Sequence, residues 1–138
     1  MPDKIVLGNI VALDGKIEEI SKSVPTDAVV IDAGGKLVTP GFVEIHAHGG
    51  GGADFCDSTP KAFIQAVKTH LSNGTTLICP TVMSCTEDCL MKVVSAYRKA
   101  KESEIGVLMH GLHLEGPYLN PDMCGAQRKD ICRSGSNI

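Results

Sequence analysis

The chain has 138 residues, 43% of them hydrophobic and 21% charged, an ordinary composition for a globular protein long enough to bury a core. A net charge of −3 and a pI near 5.9 argue against nucleic acid or an anionic membrane surface as partner. We expect no secretory signal and no membrane span, and hence a cytoplasmic location, because the early apolar run Ile5 to Leu13 is broken by Gly8 and Asn9 and falls far short of the ~20 residues a span needs.

The six cysteines are Cys56, Cys79, Cys85, Cys89, Cys124 and Cys132. None forms a C-x-x-C motif or the paired spacing of a zinc ribbon. Cys85 and Cys89 lie four apart at the start of a predicted helix, so they could share a face. The expectation is free thiols in a reducing compartment.

In chain order, residues 4 to 38 read as short β structure. Lys4-Ile5-Val6-Leu7 is a predicted strand, and Asn9-Ile10-Val11-Ala12 continues or pairs with it. Asp14-Gly15 is a hairpin turn signal, followed by a strand from Lys16 to Ile20. Ala28 to Asp32 and Lys36 to Val38 are further predicted strands. Together they are too small to close a sandwich alone and read as part of a small β domain.

From residue 40 the rhythm becomes strand, helix, strand, helix, strand. The first strand runs from Phe42 to about His46 and reads as buried. Ser58 or Thr59 caps a helix with Pro60 at its first position. Ala62, Phe63, Ala66, Val67 and Leu71 recur on its apolar face, and Asn73-Gly74 stops it. Thr75 to Cys79 is a β-branched strand, predicted to end at Pro80. Thr86 caps a second helix with acid in its first turn, a stripe of Leu90, Val93, Val94 and Tyr97, and Arg98, Lys99 and Lys101 near its end. Gly106 to His110 begins a third strand, predicted to reach Glu115 before Gly116-Pro117. Strands alternating with amphipathic helices imply a parallel sheet. The glycine-rich and polar segments follow the carboxyl ends of those strands, where α/β sites lie.

Two constellations carry chemistry. Side chains on a strand alternate, so His46 and His48 share one face and could chelate one metal ion. Ordinary packing is the competing reading of an H-x-H pair. The glycines Gly49 to Gly52 would leave the site open to a close-approaching ligand. His113 and Glu115 share a face by the same period, and a carboxylate at a strand end suits Zn²⁺ or Fe²⁺. Otherwise Glu115 is a solvated loop-edge residue. Cys79-Pro80-Thr81, at the same rim, either shapes the pocket or is a plain structural turn.

These residues also carry a resemblance. Pro40-Gly41-Phe42-Val43-Glu44-Ile45-His46-Ala47-His48 is similar to the signature of the amidohydrolase superfamily, in which the first barrel strand ends in H-x-H. Gly49 to Phe55, Gly74-Thr75-Thr76 to Pro80-Thr81, His113-Leu114-Glu115-Gly116-Pro117 to Pro121, and Gly125-Ala126-Gln127 narrow it to the N-acetylglucosamine-6-phosphate deacetylase family. The likeness runs over about residues 4 to 130.

The resemblance implies an α/β fold, a (β/α)8 metal-dependent hydrolase barrel with a small β-sandwich built from both termini. Residues 1–39 would be part of the sandwich, and residues 40–138 the first three βα units. It implies that His46, His48 and Glu115 bind a divalent metal, Zn or Fe, and that Ala126 (through its backbone) and Gln127 contact the sugar. The implied substrate is N-acetyl-D-glucosamine 6-phosphate, hydrolysed to glucosamine 6-phosphate and acetate. Glu44 stands where the family usually has Asp. An eight-stranded barrel needs about 200 residues or more, and this chain offers three strands. The family's two later metal-binding histidines and its acid/base Asp would fall beyond Gln127, so no catalytic residue is assigned within this chain. The chain alone is therefore expected to be an incomplete, inactive fragment. Its open sheet edges suggest association, with a homo-oligomer expected. The alternatives are another amidohydrolase, such as a dihydroorotase or hydantoinase, or a non-catalytic metal-binding truncation product. The tail from Arg133 to Ile138 is polar and matches no element.

Overall fold

A computed structural model describes residues 4–133, and the tail residues 134–138 lie outside them. The chain divides between Thr39 and Pro40 into two compact units.

In the first unit, β1 (Asn9–Leu13) and β2 (Lys16–Ser21) form an antiparallel hairpin. Asp14 and Gly15 at its tip have φ of 49° and 75°, the left-handed pair that a two-residue hairpin turn requires. The strands expected at Lys4–Leu7, Ala28–Asp32 and Lys36–Val38 do not form among the described residues. Val29 and Ile31 are 95% and 90% exposed. A β-rich segment with no partner strand has nowhere to place its backbone donors and acceptors except water. A hairpin, rather than a set of sandwich strands, is what the described residues show here.

The second unit runs β3 (Phe42–Ala47), β4 (Gly49–Gly50), β5 (Ala53–Asp54), α1 (Pro60–Ser72), β6 (Thr75–Met83), α2 (Glu87–Lys101) and β7 (His113–Glu115). β3, β6 and β7 form a parallel sheet with β6 in the centre. Thr59 caps α1, its hydroxyl accepting from Ala62 N at 3.2 Å, and Thr86 caps α2 in the same way through Cys89 N at 3.3 Å. Ala62, Phe63, Ala66 and Val67 of α1 are buried, whereas Leu71 stays largely exposed. From α2, Val93, Ala96 and Ala100 enter the core, with Tyr97 partly buried against it. Phe63 sits between Phe55 and Tyr97, with ring centroids 5.0 and 5.9 Å away.

Four local expectations change. β6 runs on through Pro80 to Met83, because the pairing with β3 is irregular between Glu44 and Ala47, opposite Pro80, and a broken ladder tolerates the missing N–H. The third strand shrinks to His113–Glu115. Its expected start is a 3₁₀ turn at Glu104–Leu108, which puts Ile105 and Leu108 on one side against the core. Met109 then makes a single bridge to Ile78. β3, read as buried, lies at one edge of the sheet and leaves Phe42, Val43 and Ile45 exposed. The glycine run makes the β4–β5 hairpin under α1. A Cβ on Gly51 would lie 2.2 Å from Thr69 Oγ1, and Gly51 has φ +61°. Gly50 and Gly51 thus permit close packing onto the helix, while Gly52 has open space around it. Among the described residues, β7 is followed by turns and no α-helix, so the third βα unit has its strand alone. No described helix is long and apolar enough to cross a membrane.

Because Thr59 satisfies an otherwise free donor of the first turn, Thr59→Ala should destabilise the second unit by about 1 kcal/mol. Urea unfolding should show a lower midpoint for Thr59→Ala and a wild-type midpoint for Thr59→Ser.

Candidate metal centre

The carboxyl ends of β3, β6 and β7 meet at one rim of the sheet. Pairing of Thr81 with His113 and of Met83 with Glu115 sets the alignment of β6 and β7. At the end of β3, His46 and His48 project from the same side, as the period of a strand requires. Two local bonds shape this strand end. Glu44 Oε1 accepts from His46 N at 2.9 Å, and Thr81 Oγ1 accepts from Ala47 N at 3.1 Å.

Three donor atoms converge there. His46 Nε2 lies 3.3 Å from His48 Nε2 and 3.3 Å from Glu115 Oε2. His48 Nε2 lies 3.2 Å from the same carboxylate oxygen. Ligands about 2.0 Å from a tetrahedral ion stand about 3.3 Å apart, so the triangle has the size of one face of such a site. The donor set also matches, with two imidazoles and one carboxylate. Without a cation, each close contact needs a proton between two atoms that otherwise present lone pairs. A divalent cation would satisfy all three together. His46 is 48% exposed and Glu115 33%, so one side of the triangle faces solvent. Among the described residues, no further His, Cys, Asp or Glu joins the group.

Burial acts to raise the Glu115 pKa, but hydrogen bonds from Gln127 and His46 and the charge of His46 and His48 outweigh it. The carboxyl is held below its ordinary value and stays ionised. His113, expected on the same face, lies beside the triangle without joining it. Its Nδ1 is 3.2 Å from Thr81 Oγ1, and its ring stands edge-on to His46 at 4.8 Å. Of the other expected residues, Ala126 is exposed on the loop after β7, and Gln127 is buried. Gln127 Oε1 accepts from Ser84 N at 2.8 Å.

Thr81 and Ser84 acquire roles here that residue reading did not assign. A hydroxyl at position 81, in the apolar part of the strand from Leu77 to Met83, was a usable signal. Ser84 had none, because its partners Glu115 and Gln127 are 31 and 43 residues away.

The family described as the Amidohydrolase family matches residues 37–136. The human N-acetylglucosamine-6-phosphate deacetylase is 32% identical over 106 residues, covering 75% of this chain and 26% of the relative. The crystal structure of the Pasteurella multocida enzyme of that name superposes with a TM-score of 0.81 at 30% identity, over 90% of this chain and 33% of that one. A mutant of the Mycobacterium smegmatis deacetylase, solved in complex with N-acetyl-D-glucosamine-6-phosphate, aligns at 34% identity and TM-score 0.61, over 69% of this chain and 24% of that one. The chain thus spans about a quarter to a third of the length of the proteins it matches.

All six cysteines are free thiols. Burial, then the neighbouring Cys89 and Cys56, pushes the Cys85 thiol from 9.0 up to about 12. A folded pKa raised above the unfolded value stabilises the fold fully below pH 9.0, and that contribution is lost as pH rises beyond it. It also leaves little thiolate to react. Iodoacetamide at pH 8 should therefore alkylate Cys85 at least roughly ten-fold more slowly in the folded chain than in the denatured chain, as read by peptide mass mapping. Equal rates would refute the assignment.

Proposed function

The chain belongs to the amidohydrolase family, and we propose that it forms the N-terminal, metal-binding part of an N-acetylglucosamine-6-phosphate deacetylase. The observation that carries this reading is the triangle of His46 Nε2, His48 Nε2 and Glu115 Oε2, with edges of 3.2 to 3.3 Å, at the carboxyl end of a parallel sheet. The relatives' names supply the substrate class, N-acetyl-D-glucosamine 6-phosphate, with glucosamine 6-phosphate and acetate as products.

In this reading His46 and His48 bind as neutral imidazoles through Nε2, each keeping its proton on Nδ1, and Glu115 binds as a carboxylate. A bound Zn²⁺ or Fe²⁺ supplies Lewis acidity, polarising the acetamide carbonyl and making water a better nucleophile at neutral pH. The loop bearing Ala126 offers exposed backbone to the sugar. Proton transfer to the departing amine calls for an acid/base carboxylate distinct from the metal ligands. Among the described residues Glu115 is the one carboxylate of the donor group, and the neighbouring Glu44 carboxylate accepts from His46 N. We therefore read this chain as inactive by itself, its site being completed by residues outside it. The open outer edges of β3 and β7 suit pairing with further strands or with a second copy.

The chain should bind one equivalent of Co²⁺ or Zn²⁺, visible in the Co²⁺ visible spectrum or by calorimetry. His46→Ala and Glu115→Ala should each weaken binding by more than about a hundred-fold. Acetate release from N-acetylglucosamine 6-phosphate should stay at background with metal added. Absence of metal binding would sink the metal-site reading, and enzyme-like turnover would sink the proposed inactivity.

A further inference from the structure

We propose that Gln127 is a positioning residue for Glu115, bracketing the ends of β6 and β7 so that the carboxylate faces the two imidazoles. This inference rests on the metal-site reading above.

A buried primary amide must place both its oxygen and its NH₂ group. Gln127 is 7% exposed. Its Oε1 accepts from Ser84 N at 2.8 Å. Ser84 follows the last residue of β6, so this bond takes up a donor just past the strand's end. The Ser84 hydroxyl in turn donates to the Glu115 carbonyl at 3.0 Å. That hydroxyl lies 1.9 Å from where a Cβ on Gly116 would sit, and Gly116 has φ +100°. The glycine therefore admits the contact. Through Ser84, the amide oxygen of Gln127 and the Glu115 carbonyl are thus joined across the ends of β6 and β7. Gln127 is itself anchored: its N–H donates to Cys124 O at 3.0 Å, and Cys124 Sγ donates to Gln127 O at 3.4 Å. Held in this way, the amide fixes the strand end that carries the ligand.

The test compares wild type, Gln127→Met (similar length, no polar atoms) and Ser84→Ala in the 138-residue chain. Co²⁺ titration reads the metal site, and hydrogen exchange at Ser84 N–H in metal-free protein reads the bracket. Gln127→Met should speed Ser84 exchange and weaken Co²⁺ binding by about ten- to a hundred-fold, with α1 and α2 exchange unchanged. Unchanged Co²⁺ affinity in a folded Gln127→Met overturns the proposal while leaving the metal site standing. Should Gln127→Met fail to fold, Ser84→Ala decides. A several-fold loss of affinity supports the proposal, and wild-type affinity overturns it. Failure of wild type to bind Co²⁺ overturns both readings.

Discussion

Parallel pairing of β6 with β3 on one side and β7 on the other is the constraint from which the site follows. It brings three carboxyl ends to one rim, and with them two imidazoles from β3 and a carboxylate from β7. The register between β6 and β7 is regular. A slip of one residue between β6 and β7 would turn Glu115 to the opposite face, because side chains alternate along a strand. The carboxylate would then leave the imidazoles it now meets at 3.2 to 3.3 Å.

Buried polar groups turn that register into orientation. The Thr81 hydroxyl, fully buried in the central strand, accepts from Ala47 N between the two histidines. It donates to Cys79 O and lies against His113 Nδ1, each 3.2 Å away. An unmet donor or acceptor at such a place costs roughly 1–3 kcal/mol, so these bonds hold the strand ends against small shifts. Ser84 and Gln127 do for β7 what Thr81 does for β3. Underneath, the packing of Phe55, Phe63 and Val67 with Val93 and Ala96 keeps the helices on the sheet. The rim is therefore supported by an apolar core on one side and by hydrogen bonds across its edge.

Elements with a local chemical cause were legible in the residues. Thr59 and Thr86 cap their helices because a short hydroxyl reaches the free N–H groups of a first turn. Asp14-Gly15 makes the hairpin because both positions need left-handed backbone. His46 and His48 share a face because alternation is a property of the strand itself. Segments whose fate depends on a neighbour were misread. Pro80 interrupts a strand only where a ladder bond is required of it, and an irregularity in β3 removes that requirement. Gly106 to His110 reads as the start of a strand, yet packing of Ile105 and Leu108 onto the core favours a 3₁₀ turn at Glu104–Leu108. The glycines after His48 looked like space for a ligand, and at Gly50 and Gly51 the approach of Thr69 on α1 takes that space.

By itself, the amino-acid sequence determined the donor chemistry of the site, the faces on which the histidines and Glu115 stand, and the family to which they point. These depend on residue type and on the period of a strand, both of which act over a few positions. Tertiary structure alone decided that His46 and Glu115, 69 residues apart, come within 3.3 Å. It alone left His113 beside the triangle rather than in it, and buried Gln127 against Ser84 rather than exposing it on its loop. Such distances are set only when the sheet is paired and the loop after β7 folds back on it, and no local propensity encodes that closure.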